Sequence, residues 1–244
     1  MFASYCADVK TLGDLVARDR RTREPALGAD GTPPRAYDYH QFCTMAHRTS
    51  NFFRHQGVRE GSLVAVTDHP EPVSILSLFG AALLGARVRF DPARAVEARL
   101  LVSPASVTDY SLAPGTRHVV YGDRPRDPQK VHFEANVPSE NPAALPIPLA
   151  PNDPVLVTDG PMYDHQTLLR AARAVVDEWE IGPTDELVVP TSLGRPGTIV
   201  AGILAPLSVG AAITLASREP GGPIRVDGEN RAAESVILPD DVPV

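Results

Sequence analysis

The hydrophobic pattern of the first half alternates between short apolar runs and helical spacing. From residue 40 to 56, apolar side chains recur every three or four positions, which predicts an amphipathic helix. A second, mostly apolar helix is predicted over residues 73–84. Strands are predicted at residues 63–67, 87–90, 99–102 and 118–121. Because a strand, a helix and another strand follow one another here, the pattern indicates a parallel βαβ unit.

The second half repeats this alternation. Strands and helices are predicted to alternate at residues 155–158, 164–179, 186–189, 198–209, 211–215 and 235–238. Between the halves, residues 131–154 hold six prolines, which is typical of an extended connection. We therefore expect an α/β fold of parallel βαβ layers. It forms one domain, residues 1–244, with subdomains of about 9–130 and 155–240 joined by the Pro-rich stretch.

Composition excludes several classes of partner. The formal net charge is -7, and the basic cluster at residues 18–23 is interrupted by Asp19, so no nucleic-acid partner is expected. No run of 18 apolar residues occurs and the N-terminus carries no signal sequence, so we expect a cytoplasmic protein without a membrane contact. Of the 23 basic residues, 21 are arginine, which together with the acidic balance is compatible with a salt-adapted, halophilic organism.

Common catalytic and metal-binding motifs are absent. The chain has no G-x-G-x-x-G, no phosphate loop ending in G-K-[ST], no G-x-S-x-G, and no paired cysteine spacing. His47 and His55 lie eight positions apart on the first predicted helix, where we expect solvated side chains rather than a metal site. Asp68 and Asp164 each precede a histidine at the end of an element, and we expect both to cap helices.

Six segments, in the correct order, resemble the adenylate-forming superfamily of acyl-CoA synthetases, luciferases and peptide-synthetase adenylation domains. The segments are TLGDLV (11–16), RAYDYHQF (35–42), QGVREGSLVAV (56–66), LLGARVRFDP (83–92), YDHQTLL (163–169) and ILAPLSVGAA (203–212). Together they span about residues 9–240. The resemblance implies the large N-terminal domain of such an enzyme, truncated before the C-terminal lid domain, because Val244 falls roughly where the first half of the family ends.

The phosphate loop of the family is degenerate in this chain. In the family, a Ser/Thr/Gly-rich loop ending in Pro-Lys-Gly binds the ATP phosphates through backbone N–H groups and the lysine. The resemblance places that loop between Thr158 and His165, where this chain has only DGPMYD. This segment has one glycine and no lysine, and the last lysine of the chain is Lys130.

These departures predict a pseudoenzyme with no catalytic residue, no metal and no cofactor, although ATP, AMP or CoA binding is left open. Its role would be binding, assembly or regulation, with a protein partner or as a homo-oligomer. A first alternative is a small-molecule binder for an acyl group, CoA or a nucleotide. Its residual cleft would lie at the carboxyl ends of the strands and be lined by Thr158, Asp159, Gly160, Tyr163 and Thr191. A second alternative is part of a split ATP-dependent acyl-CoA ligase.

Overall fold

The computed structural model describes residues 9–29, 35–189, 192–216, 224–227, 235–237 and 239–244. The strands are β1 (Pro25–Ala29), β2 (Arg35–Asp38), β3 (Leu63–Val66), β4 (Arg87–Phe90), β5 (Ala95–Val96), β6 (Leu100–Pro104), β7 (Ser111–Leu112), β8 (Arg117–Tyr121), β9 (Lys130–His132), β10 (Pro154–Val157), β11 (Met162–Asp164), β12 (Glu186–Val189), β13 (Ala212–Leu215), β14 (Ile224–Asp227) and β15 (Ser235–Ile237). The helices are α1 (Tyr39–His55), α2 (Pro72–Ala82), α3 (Phe133–Asn136), α4 (His165–Trp179), α5 (Pro196–Thr198) and α6 (Ala205–Val209). Short 3-10 turns lie at Leu12–Val16, Arg18–Arg20, Val137–Ser139 and Pro239–Asp241.

Two large sheets carry the fold. The seven-stranded sheet has the order β11-β10-β4-β3-β6-β8-β9 and is parallel except at β11, which pairs antiparallel with β10. The six-stranded sheet has the order β15-β14-β12-β13-β1-β2 and is mixed, with a parallel centre of β12, β13 and β1. The predicted α/β class is confirmed, and the antiparallel strands at the sheet edges are an addition to the predicted parallel layers.

Helix α2 lies between the two sheets. It contacts β1 of the six-stranded sheet and both β3 and β4 of the seven-stranded sheet. All of its residues are buried, as expected for a helix that is apolar on every side. Gly80 lets this helix approach α1 closely, because a Cβ at that position would lie 2.6 Å from Cγ2 of Thr49. The packing of α1 on α2 therefore requires a glycine there.

Helix α1 is the amphipathic helix that the spacing predicted, with bounds shifted by one residue. Asp38 caps it: the Gln41 N–H donates to the Asp38 carboxylate at 2.6 Å, and the Asp38 N–H donates back to the Gln41 side chain at 3.1 Å. His47 is buried and its ring donates to the Val16 carbonyl at 3.2 Å, so the expectation of a solvated His47 was wrong. Its position on the core side of the helix explains the difference.

The C-terminal part of the Pro-rich stretch forms a strap, residues 140–150, across α1. The Asn51 side-chain amide donates to the carbonyls of Asn141 at 2.9 Å and Ala143 at 3.0 Å. Leu145 and Ile147 of the strap pack against the main apolar core. The strap is therefore fixed by both polar and apolar contacts, while the division into two subdomains stays a prediction.

The helix predicted over residues 198–209 is not a single α-helix. Between α5 and α6 the chain adopts a π-helical segment, Ile199–Leu204. Pro206 explains the departure, because proline lacks an N–H and its ring would clash with the carbonyl four residues earlier, that of Gly202. A wider turn just before the proline relieves this clash.

A buried histidine lies in the seven-stranded sheet. His118 of β8 lies beside β6, and its Nε2 is 2.8 Å from the Ser103 hydroxyl. Burial lowers the pKa of His118 to about 4, and the charge of Lys130 contributes in the same direction.

No helix in the described part of the chain combines the length and hydropathy that a membrane crossing requires.

Candidate functional site

The carboxyl ends of the central parallel strands meet at one edge of the seven-stranded sheet. Asp68 follows β3, Asp91 follows β4 and Thr158 follows β10. Open α/β sheets bind ligands outside the carboxyl ends of their strands. This edge, called the carboxyl edge below, is therefore the candidate functional site.

Asp68 joins the carboxyl edge to the loop that follows β12 of the other sheet. Its carboxylate accepts the backbone N–H of Leu193 at 2.7 Å and the hydroxyl of Ser192. Asp68 does not cap α2, whose N-cap is Glu71, so the capping prediction was wrong for this residue. The carboxylate is used instead to hold two loops together across the sheets.

A second acidic residue lies beside this contact. A Cβ at Gly194 would lie 3.5 Å from the Asp68 carboxylate and 3.6 Å from Cβ of Asp91. Asp91 itself has a φ of 51°, in the left-handed region. Two aspartates thus lie around one glycine at the carboxyl edge, and their charge opposes an approaching polyanion.

The loop between β10 and β11, residues 158–161, is closed by its own hydrogen bonds. The Thr158 hydroxyl donates to the Pro161 carbonyl at 3.0 Å, and the Thr158 N–H is 3.3 Å from the same oxygen. The Gly160 N–H donates to the Thr158 hydroxyl at 3.3 Å. Pro161 has no N–H to offer. The N–H groups of Thr158 and Gly160 therefore point into the loop rather than toward a ligand.

Two arginines of β4 also have partners within the protein. Arg89 of β4 pairs with the carboxylate of Asp159 at the tip of the loop. Arg87 donates from Nη2 to the Gly61 carbonyl at 2.9 Å. Its Nη1 lies 3.9 Å from the sulfur of Met162. Binding an anion at Arg89 would require it to leave Asp159, whose carboxylate would then stand in the same loop.

Comparison with known proteins gives a fold and no sequence family. No family model matches the chain, and no curated protein matches it. Among solved structures, a benzoate CoA ligase from Burkholderia xenovorans LB400 has a TM-score of 0.73 and 20% identity, covering 86% of this chain and 46% of that one. The N-terminal domain of FACL13 from Mycobacterium tuberculosis has a TM-score of 0.71 and 13% identity, covering 86% and 58%. The AMPPNP-bound form of the nonribosomal peptide synthetase FmoA3 has a TM-score of 0.69 and 20% identity, covering 93% and 24%.

This chain has the fold of the adenylate-forming enzymes. The fold that the six sequence segments implied is therefore confirmed. The chain spans only 24 to 58% of the length of these three neighbours. Because the identities are all low, the adenylate-forming fold is what the likeness shows, and it does not by itself assign an activity.

Three of the predicted site residues come together within the adenylate-forming fold. Thr158, Asp159 and Gly160 share the loop after β10. Tyr163 lies on β11, opposite Leu156, and its ring packs against the main core. Thr191 lies outside the described residues.

The sequence interpretation missed two charged residues that shape the site, Asp68 and Arg89. The signal for Asp68 was present, because it directly follows a predicted strand and must lie at the carboxyl edge. Arg89 gave no signal, because its pairing with Asp159 joins residues 70 positions apart.

The helix after β11 begins as the sequence predicted. Asp164 caps α4 by accepting the Thr167 N–H at 2.7 Å. His165 is buried, and its Nδ1 accepts the backbone N–H of Leu12 at 3.1 Å, so it joins the N-terminal turn to α4. Burial lowers the pKa of this histidine. Within the described ranges, no group of three or more His, Cys, Asp or Glu side chains could hold a metal ion.

Proposed function

We propose that this chain is a non-catalytic homologue of the acyl-CoA synthetases that acts in binding, assembly or regulation, with a protein partner or a second copy of itself. The observation that carries the proposal is the loop of residues 158–161. Its hydroxyl and its glycine N–H are used within the loop, and its aspartate is paired with Arg89.

Phosphate binding by a loop depends on several free backbone N–H groups that converge on one point. In this loop the Gly160 N–H faces Thr158, and position 161 is a proline. No lysine follows Lys130 in the sequence, so none is available in the loop to add charge. The loss of one preorganised donor typically costs about 100-fold in rate, and here several are missing together.

The carboxyl edge also supports the proposal through its charge. Asp68, Asp91 and Asp159 all follow strands of the seven-stranded sheet. The carboxylates of Asp68 and Asp159 bind groups of the protein itself, the Leu193 N–H and the Arg89 guanidinium, rather than a ligand. An edge of this kind disfavours a nucleotide polyphosphate.

The proposal is tested by assaying the purified chain for pyrophosphate release from Mg-ATP with a panel of aliphatic and aromatic carboxylates. Light scattering and co-purification from the native host are run on the same sample. We expect no release above background, together with a stable homo-oligomer or a co-purifying protein.

Other outcomes have distinct meanings. Release of pyrophosphate by the chain alone contradicts the proposal. Release that appears only when a second chain is added identifies a split acyl-CoA ligase. A monomer that binds one acyl compound, CoA or nucleotide without turnover identifies a small-molecule binder.

A further inference from the structure

A groove of about 640 Å³ lies on the side of the molecule away from the carboxyl edge. It runs between the 3-10 turns at Leu12–Val16 and Arg18–Arg20 and the strap. Leu83, at the end of α2, forms part of its wall. Because Leu83 shortly precedes β4, the groove lies near the amino ends of the strands, opposite the edge that holds Asp68.

One wall of the groove is cationic. Lys10, Arg18 and Arg21 line it, and within the described residues no carboxylate lies in ion-pair distance of their side chains. The Nε of Arg21 is buried and has no hydrogen-bond partner among the described residues. Positive charge concentrated in this way is unusual for a chain with a net charge of -7.

Asp14 is the one carboxylate among the described lining residues, and its Oδ2 is hydrogen-bonded to neighbouring residues of the chain. It accepts the backbone N–H groups of Lys10 at 2.9 Å and Thr11 at 2.7 Å, and the Thr11 hydroxyl at 3.1 Å. These bonds form a capping box at the start of the first 3-10 turn. Among the described residues, Asp14 forms no ion pair with Lys10, Arg18 or Arg21.

The opposite wall is apolar and held in place. It is formed by Leu83 and by Ile147 and Leu149 of the strap. Asn51 fixes the strap through the carbonyls of Asn141 and Ala143, and Ile147 also packs on the main core. A wall that is ordered before binding lowers the entropic cost of receiving a ligand.

We propose that this groove binds a small amphipathic anion, with a carboxylate or phosphate head on Arg18 and Arg21 and a hydrocarbon chain along Leu83, Ile147 and Leu149. Arginine is suited to both heads because its guanidinium group can form two parallel hydrogen bonds to either. A mostly apolar pocket of this volume with a few charged groups is typical of small-molecule sites. The site goes beyond the proposed function and uses none of the residues of the carboxyl edge.

The test is isothermal titration of the full chain with octanoate and with octyl phosphate, which distinguish the two heads. We expect saturable binding of at least one of them. Arg18→Gln and Arg21→Gln should each weaken that binding, and the double variant should weaken it about tenfold or more, because charge-assisted hydrogen bonds are lost. The matched control is Arg124→Gln, which makes the same charge change at an exposed residue outside the groove and should leave binding unchanged.

Two further probes locate the ligand. Acetate tests the head alone and octanol the chain alone, and both should bind more weakly than octanoate. In amide NMR spectra, octanoate should shift the signals of Gly13 and Ala144 and leave that of Gly160 unmoved.

Three results would overturn the proposal. They are the absence of binding up to about 10 mM ligand, equal binding by wild type and the Arg18→Gln/Arg21→Gln double variant when circular dichroism shows both folded, and shifts confined to the carboxyl edge. None of these results bears on ATP binding, so the proposed function is tested separately.

Discussion

Asn51 is the polar side chain on which the position of the strap depends. It is 6% exposed, and its amide nitrogen lies 3.2 Å from the His47 carbonyl, 2.9 Å from the Asn141 carbonyl and 3.0 Å from the Ala143 carbonyl. Two N–H groups are thus shared among three acceptors. We predict that Asn51→Ala and Asn51→Asp both destabilise the protein, and that the isosteric aspartate is the more damaging change.

The magnitudes follow from the contacts. Asn51→Ala removes two good hydrogen bonds to the strap, each worth about 0.5–1.5 kcal/mol, so the free energy of unfolding should fall by about 1–3 kcal/mol. Asn141 and Ala143 are exposed residues, so water can replace the lost donor at their carbonyls. Asn51→Asp places a carboxylate among three carbonyl oxygens, and the loss should reach roughly 3 kcal/mol or more.

Urea unfolding near pH 7, followed by circular dichroism, measures these losses. The control is Asn152→Asp, at an exposed residue, which should change stability by less than about 0.5 kcal/mol. Because the introduced carboxyl would have a raised pKa in the folded state, the deficit of Asn51→Asp relative to wild type should shrink as the pH falls. An Asn51→Asp protein as stable as wild type at neutral pH would refute the assigned hydrogen bonds.

Two further perturbations test the packing and a buried titrating group. Gly80→Ala should destabilise by about 1–3 kcal/mol because its methyl group meets Thr49 at 2.6 Å, whereas Gly160→Ala, with nothing within 4 Å, should be tolerated in thermal unfolding. The pKa of His118 is about 4 in the folded state against about 6.5 when unfolded, so the unfolded state binds the extra proton between these values. The free energy of unfolding should therefore be retained above about pH 6.5 and fall by up to about 3 kcal/mol as the pH drops to 4. In His118→Gln, the urea midpoints measured across this pH window should depend less on pH. A pH dependence equal to that of the wild type would contradict the role of His118.

The strongly patterned elements could be predicted because burial alone dictates their sequences. Helix α1 has an apolar face and a capping residue at its start. Strands β4 and β12 are short, and every second side chain in each is buried. Strands β11 and β14 were not predicted from the sequence. Each is fixed by antiparallel pairing, β11 with β10 and β14 with β12 and β15, and such pairing depends on tertiary contacts that a short strand does not encode by itself.

For the candidate site too, one part could be predicted from the sequence and another could not. Its location could be inferred because Asp68 follows one predicted apolar strand and Thr158 ends another, and the carboxyl ends of parallel strands share an edge. The hydrogen bonds that engage the polar groups of the site within the protein could not be inferred. The contacts of Asp68 with Ser192 and Leu193, 124 and 125 positions away, depend on how the two sheets pack.

We propose that the loop of residues 158–161, within the adenylate-forming fold of this chain, does not bind nucleotide phosphates. The most direct test is isothermal titration of the purified chain with Mg-ATP, at low and at high salt, with AMP and CoA titrated in parallel. We expect no heat of binding for Mg-ATP under either condition. Saturable binding of Mg-ATP in the micromolar range, abolished by a substitution in the loop of residues 158–161, would contradict it.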